Sequence, residues 1–106
     1  MTYQFDDFAK LEIRMGTVLE AERVPGTDRL LKVVVDMGNE KRQVVAGFGH
    51  KHPPEDLIGK QVPIVLNVEK AVIRGVESNG IFMAIDDETA TLLVPQKSVL
   101  NGSKIK

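Results

Sequence analysis

The chain contains no cysteine. This absence excludes a disulfide framework, a thiolate metal site and a cysteine nucleophile. No apolar run approaches the roughly 20 residues that a membrane helix needs, and the N-terminus lacks the basic start and apolar core of a signal peptide. We therefore expect a cytoplasmic protein that works in a reducing compartment.

The chain also lacks an excess of positive charge and has few aromatic residues. Its 14 Lys and Arg residues are balanced by 15 Asp and Glu residues, so any affinity for a polyanion must come from local patches. There are four Phe, one Tyr and no Trp. Only Phe48 and Phe82 are candidates for stacking on a base. Phe82 alternates with Met83 along a predicted strand, so one of the two side chains should face the core.

Catalytic motifs are missing as well. Neither the serines nor the glycines fall in a hydrolase elbow, a dinucleotide fingerprint or a phosphate-binding loop. His50 and His52 flank Lys51 in a proline-containing loop, but two histidines without a third ligand make a weak metal site. Solvated or phosphate-facing side chains are the favoured interpretation of these histidines. We expect no enzymatic activity, no metal and no cofactor.

The hydrophobic pattern predicts five short strands in one domain that spans residues 1–106. A single helical turn is expected near residues 6–10 and another at residues 55–58, between the third and fourth strands. At Gly16 the alternation of apolar residues along the first strand shifts by one position, which predicts a β-bulge there. Together these features favour an all-β, five-stranded OB-fold barrel with a short helical insertion, with SH3-like barrels and small sandwiches as alternatives. The predicted strands cover residues 11–24, 30–35, 43–46, 62–68 and 81–85.

The C-terminal segment, about residues 86–106, is longer than a barrel of this size needs. It contains a further strand-like run at residues 91–94 and several apolar positions that would remain in contact with water on a single subunit. We therefore predict a C-terminal extension that closes a homodimer interface. The predicted interface residues are Leu92, Val94, Val99, Leu100 and Ile105.

The segment from Asn67 to Ala84 places a polar loop between the last two predicted strands of the barrel. Lys70 and Arg74 supply positive charge, while Gly75 and Gly80 would let a ligand approach the backbone closely. The plainer interpretation, that the glycines only make turns and the cations only face solvent, remains open because Glu69 and Glu77 offset nearby cations. Neighbouring connections could add further cations to the same surface, namely Lys41, Arg42, Lys51 and His50.

An ordered set of motifs covers almost the whole chain and resembles a known family. The residues are 8–18 (FAKLEIRMGTV), 27–31 (TDRLL), 35–38 (VDMG), 42–47 (RQVVAG), 54–60 (PEDLIGK), Asn67 and 74–80 (RGVESNG). They resemble the tRNA-binding domain found at the C-terminus of many methionyl-tRNA synthetases, which also exists as free-standing tRNA-binding proteins and as separate synthetase β subunits.

The resemblance implies an OB fold, a homodimer formed through the C-terminal extension, and tRNA binding by shape and backbone. Where the family usually has a strongly basic run, this chain has residues 69–72 (EKAV), which implies fewer phosphate contacts and a shallower dependence on salt. Carried over by position, the RNA-facing residues are Asn67, Lys70, Arg74, Gly75, Ser78 and Gly80.

Two functions follow as hypotheses. The first is non-catalytic tRNA binding, either free-standing or as an accessory to methionyl-tRNA synthetase. The second is a protein-binding module, either a peptide chaperone similar to the CsaA branch of the same fold or a docking subunit for a synthetase. Residues 78–80 (SNG) keep the glycine that is typical of the tRNA-binding branch, which favours RNA.

Overall fold

The computed structural model describes residues 1–106 and consists mostly of β-structure. Five strands form an antiparallel sheet in the order β3-β2-β1-β4-β7, and β5 pairs with β6 in a separate hairpin. A single 3₁₀ turn, Pro54–Asp56, lies between β3 and β4. The elements are α1 (Phe5–Ala9), β1 (Ile13–Arg23), β2 (Leu31–Asp36), β3 (Lys41–Ala46), β4 (Gln61–Val65), β5 (Ala71–Ile73), β6 (Val76–Ser78) and β7 (Ile81–Phe82).

The core lies inside the curled sheet because the strands alternate apolar and polar side chains with a period of two. Along β2, Leu31, Val33 and Val35 are buried, while the residues between them are half-buried. Val44 of β3 and Ile64 of β4 belong to the same cluster. The predicted all-β, OB-like barrel with one short helix is confirmed.

Strand β1 is long and bent, and each half pairs with a different neighbour. Its first half pairs with β4 and its second half with β2, with a register shift between Val18 and Glu20. The irregularity expected at Gly16 thus lies a few residues later. Gly16 is instead a site of close packing, since a Cβ there would lie 2.6 Å from Val35 Cγ1.

The segment predicted as a polar loop between β4 and β7 forms the β5–β6 hairpin. Arg74 and Gly75 make its turn, and both have positive φ, 53° and 78°. The residue pairs in this hairpin are Ala71 with Ser78, Val72 with Glu77, and Ile73 with Val76. Because facing residues alternate, Ile73 and Ser78 lie on one face of the hairpin and Val72 on the other.

The C-terminal segment returns to the barrel and lies along the first half of β1. The N–H of Gly102 donates to the Met15 carbonyl at 2.7 Å, and the N–H of Ile105 donates to the Ile13 carbonyl at 2.8 Å. The strand expected at residues 91–94 is reduced to one bridge between Ala84 and Leu92. The helices of this fold are too short to cross a bilayer.

Candidate nucleic-acid interface

The turn of the β5–β6 hairpin presents Arg74 to solvent. Its side chain makes no ion pair, whereas the Nζ of Lys70 lies 3.6 Å from the Glu77 carboxylate. Both Lys70 and Glu77 are more than half exposed, so this pair contributes little to stability and can open for a ligand. Arg74 is therefore the free cation of the hairpin.

Ser78, at the end of β6, is 6% exposed. Its hydroxyl accepts a hydrogen bond from the Val45 N–H at 2.9 Å and donates to the Gly80 carbonyl at 3.1 Å. The Ser78 hydroxyl thus takes the place of a backbone carbonyl as the acceptor for an N–H group of β3. Both of its ordinary hydrogen-bonding roles are used inside the protein.

Gly80 lies in the narrow space between the hairpin and the barrel. Its φ is +151°, and a Cβ built there would lie 2.8 Å from the Val65 carbonyl oxygen and 3.3 Å from a methyl of Val44. This position has no room for a side chain. By contrast, a Cβ on Gly75 would meet open space, so Gly75 leaves the hairpin turn accessible.

Asn67 follows β4 and holds the N-terminal segment in place. Its side-chain amide donates to the Lys10 carbonyl at 2.6 Å, and its side-chain oxygen accepts from the Glu12 N–H at 2.7 Å. The two bonds connect the end of α1 to the end of β4. Asn67 therefore joins two segments that are 55 residues apart in the sequence.

Arg42 is engaged in a similar way. Its Nη1 donates to the carbonyls of Leu66 and Asn79, at 2.9 Å each, and its Nε lies 2.7 Å from the Glu40 carboxylate. The pair with Arg42 holds the pKa of the Glu40 carboxyl below its usual value. Lys41, the neighbouring residue, is exposed and makes no ion pair.

Lys51 and two histidines lie in the loop after β3. Lys51 approaches the Asp87 carbonyl at 3.5 Å, and the Nε2 of His52 lies 2.8 Å from the Ala90 carbonyl. Hydrogen bonds from the Thr91 hydroxyl and backbone hold the pKa of the Asp87 carboxyl below its ordinary value. These contacts tie the loop after β3 to the turn after β7.

Two adjoining surface depressions lie beside the hairpin and this loop, and we call them together the hairpin groove. At its apolar end the lining includes Val68, Ile73 and Ile81, around a volume of about 420 Å³. At its basic end it is lined by Arg29, His50 and Lys51 together with Asp86 and Asp87, around about 410 Å³. Both ends share Gly47, Phe48 and Phe82.

Sequence reasoning missed three residues of this groove: Arg29, Ile73 and Ile81. Arg29 belongs to the turn before β2, which the fold brings to the loop after β3: the Gly49 N–H donates to the Arg29 carbonyl at 2.6 Å. The alternation of Ile73 with Val72 was a sequence signal that could have located Ile73 on the groove side. It becomes informative only once the segment is known to be a hairpin that packs against the barrel.

The predicted RNA-facing residues therefore divide into two groups. Asn67, Arg42, Ser78 and Gly80 have their polar groups or their space occupied within the protein. The second group consists of exposed cations without a carboxylate partner on β3, in the loop after it and at the hairpin turn, namely Lys41, Lys51 and Arg74. The structure adds Arg29, which lines the groove and was not predicted.

The predicted dimer residues also fall into two groups, which differ in exposure. Val94 and Leu100 are exposed, by 57% and 84%. Leu92, Val99 and Ile105 are half-buried by their own chain. Only the first two are left with most of their apolar surface in water.

A family model described as "Putative tRNA binding domain" matches residues 13–104. The chain is 50% identical over 100 residues to a methionine–tRNA ligase of Methanococcus aeolicus. It is 47% identical over 103 residues to the corresponding enzyme of Thermococcus kodakarensis. These matches cover 94% and 96% of this chain but only 15% and 14% of the relatives. The chain thus spans about one seventh of the length of the ligases that it matches.

Two solved structures share the whole fold. A MetRS-related protein from Pyrococcus horikoshii superposes with a TM-score of 0.92 at 32% identity, covering 100% of this chain and 99% of that one. The chaperone CsaA of Bacillus anthracis superposes with a TM-score of 0.89 at 31% identity, and each chain is covered completely. The family model, the ligases and these two structures all match nearly the full chain described here.

Proposed function

This chain belongs to the tRNA-binding domain family, and we propose that it is a non-catalytic module that binds folded tRNA through the sugar-phosphate backbone. The observation that carries the proposal is Arg74, an exposed guanidinium without a carboxylate partner at the turn of the hairpin. Lys41 is exposed at the start of β3, and Lys51 is exposed in the loop after it. Cations of this kind position a protein on phosphate without reading the bases.

The proposed partners are tRNA and a methionyl-tRNA synthetase. The relatives that carry this domain are ligases about seven times longer than the chain, so their catalytic chemistry has room to lie outside the matched part. We infer that this chain supplies RNA affinity and contributes no catalytic step of its own. Since tRNA is aminoacylated in the cytoplasm, we propose that the protein acts in the cytoplasm.

A titration with tRNA at two ionic strengths tests the proposal. Four phosphate contacts, one for each of the free cations, would give a log–log salt slope of roughly −3 to −4. Affinity should therefore fall by about tenfold or more when the salt concentration is doubled. Absence of binding at low salt would overturn the proposal.

A second candidate function is protein binding, and the apolar end of the hairpin groove favours it. Ile73 and Ile81 are 36% and 50% exposed there, and the fold is that of the chaperone CsaA. Binding of an apolar peptide would change little with salt, because it does not depend on charges that ions screen. The same titration, performed with an unfolded protein or a peptide, separates the two functions.

We also propose that the chain forms a homodimer through its C-terminal extension. Val94 and Leu100 offer the exposed apolar surface that such an interface would bury. Light scattering during size-exclusion chromatography should give the mass of two chains. Leu100→Glu should reduce that mass to one chain, whereas Lys97→Glu, a charge change at an exposed position of the same segment, should not. A monomeric wild-type protein would overturn this proposal.

A further inference from the structure

The hairpin groove has a fixed floor. The Phe48 ring meets Phe82 edge to face at 5.1 Å and His52 at 5.4 Å, with interplanar angles of 80° and 76°. Phe82 itself is buried and part of the core. Because the neighbouring rings hold Phe48 on two sides, a ligand would lose little side-chain entropy on reaching it.

The walls of the apolar end are aliphatic and accessible. Ile73 comes from the hairpin, and Ile81 comes from β7. Both are partly open to solvent, so a flat apolar ligand would remove surface from water on two sides. The groove therefore offers the apolar contacts that a nucleobase needs.

Cations lie at both ends of this apolar stretch. Arg74 follows the lining residue Ile73 at the turn of the hairpin, and Glu69 also lines the apolar end. Arg29 and Lys51 line the basic end, where Asp86 and Asp87 also lie. The Asp87 carboxylate is turned toward Thr89 and Thr91, whose side chains and backbone N–H groups donate to it. It thus faces its own turn.

Resting on the proposed function, we propose that the hairpin groove holds an unpaired nucleotide of the bound RNA. The base lies against Phe48, Ile73 and Ile81, and the adjoining phosphates face Arg29 and Lys51 at one end and Arg74 at the other. Unpaired bases are the parts of RNA that can enter such a groove, because the bases of a duplex remain stacked.

The arrangement of charge favours a nucleotide over an apolar peptide. A single strand alternates flat bases with phosphates, and the groove alternates an apolar stretch with cations. An apolar peptide would contact Ile73 and Ile81 equally well but would bring no negative charge to the cations. The lining residue Ile73 immediately precedes the hairpin turn that carries the proposed tRNA contact at Arg74.

The test compares single-stranded and duplex RNA by fluorescence anisotropy. The probes are an unstructured RNA of about ten nucleotides, within the range of site sizes of OB-type folds, the same sequence in a blunt duplex, and intact tRNA. We expect the single strand to bind more tightly than the duplex. Ile73→Ala should weaken single-strand binding roughly fivefold or more and leave duplex binding unchanged.

Val72→Ala is the matched control. Val72 is the preceding residue of the same strand, is 65% exposed and faces away from the groove. It should leave single-strand binding unchanged. Equal effects of Val72→Ala and Ile73→Ala, or equal binding of single strand and duplex, would overturn the inference.

The remaining outcomes separate this inference from the proposed function. If tRNA binds and the single strand does not, the groove assignment fails and the tRNA proposal stands. If the single strand binds with dependence on Ile73 and tRNA does not, the groove assignment stands and the tRNA proposal fails. If no RNA probe binds, both fail, and binding of only the peptide from the titration described above would favour the second candidate function.

Discussion

The Ser78 hydroxyl accepts a hydrogen bond from the Val45 backbone N–H at 2.9 Å, which joins the end of the hairpin to β3. The next residue continues the connection, since the Asn79 N–H donates to the Gln43 carbonyl at 2.8 Å. Together with the hydrogen bonds from Arg42 to the Leu66 and Asn79 carbonyls and from the Gln43 side chain to the Glu77 carbonyl, they close the gap between β3 and the strand pair β4–β7. The orientation of the hairpin, and with it the shape of the groove, depends on this closure.

Ser78→Ala should destabilise the protein by about 1–3 kcal/mol, because the Val45 N–H would lose its acceptor in a partly buried site. Urea denaturation measures the change. Ser98→Ala, at an exposed position whose hydroxyl makes no hydrogen bond within the chain, should have almost no effect. Equal stability of the two variants would show that water replaces the hydroxyl.

Gly80→Ala should destabilise the protein by roughly 1–3 kcal/mol through overpacking. The added methyl would contact the Val65 carbonyl at 2.8 Å, and the positive φ adds strain. Thermal unfolding gives the measurement. Gly47→Ala is the control, since a Cβ there meets nothing within 4 Å and its φ is not positive. An unchanged melting temperature for Gly80→Ala would contradict the close packing described here.

Asn67→Ala should loosen the N-terminal segment and leave the barrel intact. The Glu12 N–H would lose its acceptor and the Lys10 carbonyl its donor, which corresponds to about 1 kcal/mol for each bond. Hydrogen exchange at the Glu12 amide should therefore accelerate. Asn39→Ala, at an exposed turn position whose side chain makes no hydrogen bond within the chain, should leave that rate unchanged. A loss of tRNA affinity without faster exchange would instead indicate direct contact of Asn67 with RNA.

The Asp87 turn should make part of the stability depend on pH. Hydrogen bonds from Thr91 and Thr89 lower the pKa of the Asp87 carboxyl in the folded state. The ionised group therefore stabilises the fold above the unfolded-state pKa of about 3.9, and this contribution is lost as the pH falls through the lower folded-state pKa. Thr91→Val removes the largest cause of the shift.

The wild type should therefore lose more stability than Thr91→Val between about pH 5 and pH 2.5. Urea midpoints at several pH values measure the difference. Other carboxyl groups titrate in both proteins and cancel in the comparison. Parallel curves for the two proteins would show that the Thr91 hydroxyl does not act on the Asp87 carboxyl.

Arg74→Glu should weaken tRNA binding and leave the fold and any dimer unchanged, because it replaces attraction to phosphate with repulsion. The salt slope should become shallower by about 1. Filter binding at low salt gives the affinity. Lys97→Glu makes the same charge change on the C-terminal segment, away from the groove, and should have a smaller effect. An unchanged affinity for Arg74→Glu would remove the hairpin from the interface.

The alternation of apolar residues was enough to predict the barrel, since buried strands need one apolar face whatever lies beyond them. It located β1 to β4 to within a few residues. It missed the β5–β6 hairpin, because the segment around Arg74 and Gly75 is short and largely exposed, so that burial does not mark its strands. It also could not show that Ile105 is half-buried by its own chain, since that depends on the pairing of residues 102–105 with β1.

Hydrophobic periodicity and ordered motifs are local properties of the chain, so the amino-acid sequence was sufficient to predict the fold class and the family. It also identified the hairpin cations Lys70 and Arg74. The roles of Asn67 and Ser78 could be assigned only from the folded chain, because their hydrogen-bond partners lie 55 and 33 residues away. A polar residue in a motif looks the same in the sequence whether its side chain contacts a ligand or the protein itself. The fold decides between the two, because the partner residues come from distant strands.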